Sequence, residues 1–158
     1  MSLPITTLPS FPMPQILVQL LAGALLVGTT VVIHAVVLDN ALRMLTFLMR
    51  SLKRHLSGGL WEIAASVLMV YVVLIAITVE VWLWATFFYL MGEPVLHSAE
   101  TALYFSTATF TTLGFGDITL SPNWRLLASF EAANGLLVFG WSTAFLLEAL
   151  GKIHSKED

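Results

Sequence analysis

Thr111-Thr112-Leu113-Gly114-Phe115-Gly116-Asp117 is the stretch on which the reading of this chain turns. Glycines at 114 and 116 alternate with Leu113 and Phe115. The glycines admit backbone angles closed to other residues, so a short run can turn its carbonyl oxygens to one side. One such run encloses nothing. Four of them around an axis would stack rings of oxygens able to replace the hydration shell of an ion. A short apolar segment, Ser98 to Phe110, precedes the run, and a long one, Trp124 to about Leu150, follows it.

Composition sets the solvent in which that run must work. Of the 158 residues, 58% are hydrophobic and 11% charged, and the mean hydropathy is +0.87. A soluble domain of this size does not tolerate such a composition, so an all-α membrane protein is expected. The net charge of -3 gives no reason to expect a nucleic-acid partner. With no cysteine, thiolate metal sites and cysteine catalysis are excluded. No nucleophile motif, metal spacing or phosphate-binding loop is present, so an enzyme is not expected, nor a cofactor beyond permeant ions.

Three segments reach the length of about 20 apolar residues that a spanning helix needs. They run from Ile16 to about Leu38, from about Trp61 to Leu90 and from about Trp124 to Leu150. Ser98 to Phe110 is too short to span and suits a re-entrant helix. Non-helical backbone such as Gly114 to Gly116 is tolerated at membrane depth only against protein or water. Arg43, Arg50, Lys53 and Arg54 lie between the first two spans, and Lys152 and Lys156 follow the third. The positive-inside rule then puts this connection and the C-terminus in the cytoplasm and the N-terminus outside a multi-pass cell-membrane protein. The N-terminus has no early Lys or Arg and carries Pro4, Pro9, Pro12 and Pro14, unlike a secretory signal, so the first span is expected to be retained. Trp61, Trp82, Trp84 and Trp124 lie near the expected span ends, where aromatic residues often sit.

The expected division is an external segment 1–15, an extra transmembrane helix 16–39, a basic segment 40–60, a pore domain 61–150 and a cytoplasmic tail 151–158. Within the basic segment, helical spacing puts Arg43, Thr46, Arg50, Lys53 and Arg54 on one arc and Leu42, Leu45, Leu48, Met49 and Leu52 opposite. This reads either as an amphipathic helix on the inner leaflet, with basic residues toward anionic lipid, or as an extension of the first span packed on its neighbours. Gly58 and Gly59 are expected to break the helix before Trp61.

The run 111–117 resembles the potassium-channel signature T-T-V-G-Y-G-D. The flanking segments, from roughly Trp61 to Leu150, resemble the outer helix, pore helix, filter and inner helix of the two-transmembrane ion-channel family. The first span lies outside the resemblance. It implies a fourfold homotetramer that conducts potassium passively. It further implies ion sites at the carbonyls of Thr112, Leu113, Gly114 and Phe115, with Gly116 completing the filter and Thr111 supporting it, and Asp117 at the outer mouth. Ser98 is expected to cap the pore helix, with Glu100 in its first turn. Phe115 stands where tyrosine is usual, Leu113 where valine is usual, and Ala108 where some relatives carry a glutamate behind the filter.

Glu131 lies seven positions on from Trp124, roughly 10 Å along a helix and close to filter depth. A carboxyl group there is expected to face protein, so Glu131, with Asn134, is expected to bond the pore helix or filter, with Ser106, Thr107 and Thr109 as candidate partners. Gly135 and Gly140 are candidates for a gate hinge or for close packing. Phe139, Ser142, Thr143 and Leu146 are candidate pore-lining residues, and Glu148 lies near the inner mouth. Glu80 is expected to pair with a neighbour across helices or to sit near the outer headgroups, His34 to be a snorkelling or interhelical residue rather than a metal ligand, and His97 to occupy a turn. Two alternatives stand beside the potassium channel. One is a non-selective cation channel, supported by Phe115. The other is a non-conducting regulatory subunit that uses the extra span.

Overall fold

The computed structural model describes residues 13–52 and 58–154, with the backbone alone at 50–52 and 58. Four helices account for nearly all of them: α1 (Met13–Leu52), α2 (Gly58–Leu90), α3 (Ala99–Phe110) and α4 (Arg125–His154). Among the described residues, α1, α2 and α4 are the helices long and apolar enough to cross a bilayer. The architecture is therefore that of an all-helical, multi-pass membrane protein with one short helix between the second and third spans. α3 packs between α2 and α4. α1 packs on the other side of the same pair and does not touch α3.

Local chemistry sets the helix ends. Pro14 lies in the first turn of α1, where its missing N–H costs nothing. The Ser98 side chain accepts the Thr101 amide at 3.1 Å and caps α3, and Glu100 occupies its first turn. α2 already begins at Gly58, so Gly58 and Gly59 form its first turn rather than a break before it.

The expected boundary between the extra span and the basic segment, at residue 40, falls inside α1. The helix runs through that point unbroken to Leu52, and the sequence offers no proline or glycine between Gly28 and Leu52 to stop it. Ala41 and Leu45 are buried, in one cluster with Trp61, Ala65 and Met69 of α2 and Phe145 and Ala149 of α4. The apolar face of the basic segment thus turns onto the bundle, as an extension of the first span. Arg43 is exposed and pairs with Asp39 at 2.9 Å. Arg50 lies in the helix with its side chain outside the description, and Lys53 and Arg54 lie outside the described residues.

The buried positions of α1 are Gln19, Gly23, Leu26, Thr30, His34, Leu38, Ala41 and Leu45. Their steps of three and four residues make one narrow seam along the helix. Two of the tryptophans expected near span ends are core residues instead. Trp61 is 3% exposed and Trp84 0%, the latter against Phe88. The short interhelical distances of a membrane bundle bury large rings wherever neighbouring helices carry small residues.

Candidate functional site

The segment after α3 has an alternating backbone. Thr112 (φ 61), Gly114 (φ 51) and Gly116 (φ 77) have positive φ, whereas Leu113 and Phe115 do not. Successive right- and left-handed residues turn their N–H groups to one side of the chain and their carbonyls to the other. The Thr112 amide donates to the Thr109 carbonyl at 2.9 Å and the Gly114 amide to the Ala108 carbonyl at 3.1 Å. These bonds satisfy the last-turn carbonyls that a helix C-terminus leaves without partners. Among the described residues, no backbone N–H outside the helices donates to the carbonyls of Thr112, Leu113, Gly114 or Phe115. Residues 112–117 are exposed, with Leu113 at 62% and Phe115 at 65%. Thr112, a side-chain-bearing residue at positive φ, costs about 1–2 kcal/mol of backbone strain that the two amide bonds help to offset.

Thr111 ends α3. Its amide and its hydroxyl both donate to the Thr107 carbonyl, at 3.1 and 2.7 Å. At the other end of the run, the Tyr104 hydroxyl donates to Asp117 Oδ2 at 2.8 Å, and the Tyr104 ring stacks on Phe115 with centroids 6.5 Å apart and planes 11° from parallel. The hydrogen bond to the Asp117 carboxylate, then desolvation and the carboxylate's charge, raise the Tyr104 phenol above its ordinary value, so it remains a donor. Tyr104 had no distinguishing signal in the sequence beyond being an aromatic residue in the short apolar segment 98–110.

Glu131 is fully buried, and its Oε1 is hydrogen-bonded to the Ser106 hydroxyl of α3. Ser106 Oγ also lies 3.0 Å from the Val81 carbonyl of α2. Ser106 thus ties α3 both to Glu131 of α4 and to the Val81 carbonyl of α2, which gives the buried carboxyl a polar partner in an apolar bundle. Of the three candidate partners of Glu131, Ser106 is the one bonded to it. Asn134 is placed differently from the expectation. Its Nδ2 donates to Thr30 Oγ1 of α1 at 2.8 Å, not to α3 or to the run 111–117. One residue further on, α4 turns its Gly135 to α3: a Cβ there would lie 1.9 Å from the Phe110 carbonyl oxygen. At Gly140 a Cβ would meet nothing within 4 Å. The absent side chain at 135 is what lets α4 rest on the end of α3.

Of the expected lining residues, Thr143 is exposed and Phe139 and Leu146 are half-buried. Ser142 is not available to line anything: it is 4% exposed and faces His34. Glu148 is exposed and pairs with Lys152 at 2.7 Å. Two further side chains, one carboxyl and one amide, fix the start of α4. Glu93, 7% exposed, accepts the Ser121 amide at 3.1 Å and its hydroxyl at 2.6 Å, fixing the loop that begins α4. Gln19 Oε1 of α1 accepts the Leu126 amide at 3.2 Å, satisfying a first-turn donor of α4. A lone glutamine in an apolar span is a signal that could have found Gln19. Glu93, in a turn beside Pro94, carries none.

Beside the run lies a cavity of about 590 Å³, bounded by Thr112, Gly114 and Gly116 on one side and by Arg125, Ala128 and Ser129 of α4 on the other. One flank of the run is therefore left uncovered by the chain that carries it. Residues 76–152, from within α2 to near the end of α4, match the family described as ion channel. The match supports an ion-channel family for the segment that holds α3, the alternating run and α4, and it leaves out α1. No curated protein and no solved structure matches the chain.

Proposed function

We propose that four copies of this chain form a potassium-selective channel, with Thr112–Gly116 of each copy as one wall of the filter. The observation that carries this reading is the alternation of φ along 112–116 together with the return of the Thr112 and Gly114 amides to α3. Two of the donors turn back to α3, and the oxygens of Thr112, Leu113, Gly114 and Phe115 are left for a cation stripped of its water. The exposure of this run, and the cavity along its flank, fit a site completed by neighbouring copies around a symmetry axis.

In the assembled filter, each ion exchanges its hydration shell for rings of carbonyl oxygens, and ions in adjacent sites repel one another onward. Asp117, held by Tyr104, adds a ring of carboxylates at the outer mouth that concentrates cations. Glu131 and Ser106 brace α3 from behind, and Gly135 sets the distance between α3 and α4. The N-terminus lies outside and the C-terminus in the cytoplasm, which brings Arg43, Arg50, Lys53 and Arg54 to the inner leaflet, where they attract anionic lipid headgroups.

The test is purified protein in planar bilayers under bi-ionic potassium and sodium, with the mass of the detergent complex measured beside it. A tetramer whose reversal potential strongly favours potassium is expected. Equal permeation of the two ions would return the non-selective alternative, and an ordered tetramer without current would return the regulatory subunit.

A further inference from the structure

Between α1 and α4 lies another cavity, of about 290 Å³. Leu38 and Leu42 of α1 and Trp141, Ala144 and Phe145 of α4 wall it, and Asp39 and Glu148 are its charged residues. The bonded pairs of the two helices keep a nearly constant offset, 104 to 108 residues: Gln19 with Leu126, Thr30 with Asn134, His34 with Ser142. Asp39 and Glu148 follow the same offset to within a residue, so the two carboxylates stand at nearly one level. Counted from the Gln19–Leu126 bond at the start of α4, that level is roughly 30 Å along either helix, about the thickness of the hydrocarbon layer. The cavity therefore opens at one membrane boundary and reaches from there toward the bilayer centre, as far as Ala35 and Trp141.

The charges at this boundary alternate in sign. Arg43 Nε lies 2.9 Å from Asp39 Oδ2, and Lys152 Nζ lies 2.7 Å from Glu148 Oε1. Both cations reach back one turn to their carboxylates, so four charged groups gather where phospholipid headgroups begin. All four side chains are exposed, and exposed pairs of this kind are weak enough to exchange partners with a headgroup. A headgroup with a single charge meets as many like charges here as opposite ones. A zwitterionic headgroup finds an opposite charge for each of its own. An ammonium that carries N–H donors adds charge-assisted hydrogen bonds to the carboxylates, which a fully methylated ammonium cannot make. Within a turn of Ala35 and Trp141, Val36 and Leu137 are 54% and 56% exposed, an apolar surface that acyl chains cover.

We propose that this cavity binds one phospholipid with a primary-ammonium headgroup. Asp39 and Glu148 hold the ammonium, Arg43 and Lys152 hold the phosphate, and one acyl chain fills the space beside Trp141. The volume admits part of a chain, so the rest of the lipid stays in the surrounding bilayer. α1 lies outside the ion-channel match, and this gives the extra helix a role of its own: with α4 it makes a lipid site that the matched segment alone lacks. The function proposed above enters only in placing this boundary at the inner leaflet.

Native mass spectrometry of the full-length protein counts the lipids retained per chain. Phosphatidylethanolamine, phosphatidylcholine and phosphatidylglycerol with identical acyl chains are offered in equal amounts. Phosphatidylethanolamine is expected to be retained about fivefold more than either of the others, the scale of one well-placed exposed ionic contact. Retention is expected to fall stepwise as its amine is mono- and dimethylated. Asp39→Asn with Glu148→Gln keeps the shape of two exposed side chains and is expected to bring retention down to that of phosphatidylcholine. Ala144→Leu, which fills the cavity, is expected to lower retention of phosphatidylethanolamine as well. Equal retention of phosphatidylethanolamine and phosphatidylcholine overturns the proposal, as does a preference for phosphatidylglycerol or a preference that survives the double substitution. So does an Ala144→Leu protein that keeps its lipid but changes its oligomeric mass, since a second copy would then occupy the cavity. Lipids are counted without any conduction, so this result and the bilayer test of selectivity fail separately.

Discussion

Replacing Gly135 by alanine probes the contact on which the proposed filter would rest. The new Cβ would lie 1.9 Å from the Phe110 carbonyl oxygen and 2.9 Å from the carbonyl carbon. The obstacle is backbone, which no rotamer change can move aside, so α3 and α4 must part by about 1 Å or more. Overpacking of this kind costs about 1–3 kcal/mol, and a rigid obstacle argues for the upper end. Alanine returns up to about 1 kcal/mol through its better helix propensity. The net expectation is a loss of about 2 kcal/mol. Gly140→Ala gains the same propensity with no clash and is expected to be neutral or up to about 1 kcal/mol more stable. Thermal unfolding in detergent, followed by the helical signal, ranks the two variants. Potassium flux from liposomes adds a functional reading, because Phe110 leads directly into Thr111 and Thr112, and a shift of its carbonyl moves the base of the filter. Gly135→Ala is expected to lose most of its flux. A Gly135→Ala protein as stable as Gly140→Ala and with native flux would refute the reasoning. One that is stable but altered only in open probability would make Gly135 a hinge rather than a spacer.

The other contacts make distinct predictions. Glu131→Gln preserves both shape and a polar partner for Ser106 and is expected to retain folding and flux, whereas Glu131→Ala opens a cavity and leaves Ser106 with the Val81 carbonyl alone, costing about 2–3 kcal/mol in the same unfolding assay. Tyr104→Phe removes the bond to Asp117; both partners are exposed, so stability is expected to change little, while sustained bilayer currents decay faster. Gln19→Leu leaves the Leu126 amide without its acceptor and is expected to cost about 1–2 kcal/mol, with Gln19→Glu closer to native because an acceptor remains. Arg43→Gln is expected to reduce the advantage of anionic over neutral liposomes in flux by roughly fivefold, the equivalent of about 1 kcal/mol for one juxtamembrane charge; the exposed pair with Asp39 is too weak to withhold the arginine from a headgroup.

What could be read in advance and what could not divide along a physical line. The run 111–117, the Ser98 cap and the three spans are local properties: glycine spacing, a capping hydroxyl and unbroken apolar length each act within a few residues. The partners of Asn134 and Ser142, the burial of Trp61 and Trp84 and the docking of residues 41–45 are not local. Lipid is as apolar as a protein core, so in a membrane helix hydrophobicity does not distinguish the packed face from the one toward the acyl chains. Leu25 is 72% exposed and Leu26 8%, with nothing in their chemistry to tell them apart. The scarce polar residues do carry that information, because hydrocarbon accepts none of them cheaply. Gln19, Thr30, His34, Glu80, Glu131, Asn134 and Ser142 are all buried. At 100° per residue, Gln19, Thr30 and His34 fall within an arc of about 60°, which already marks the seam of α1. The same rule applied to α4 puts Glu131, Asn134 and Ser142 inward, and so removes Ser142 from any pore-lining set. Reading polar rather than apolar periodicity would have found the helix seams. It would not have found which helix each residue meets, since that choice depends on how the short α3 wedges between α2 and α4 and leaves α1 to the opposite face.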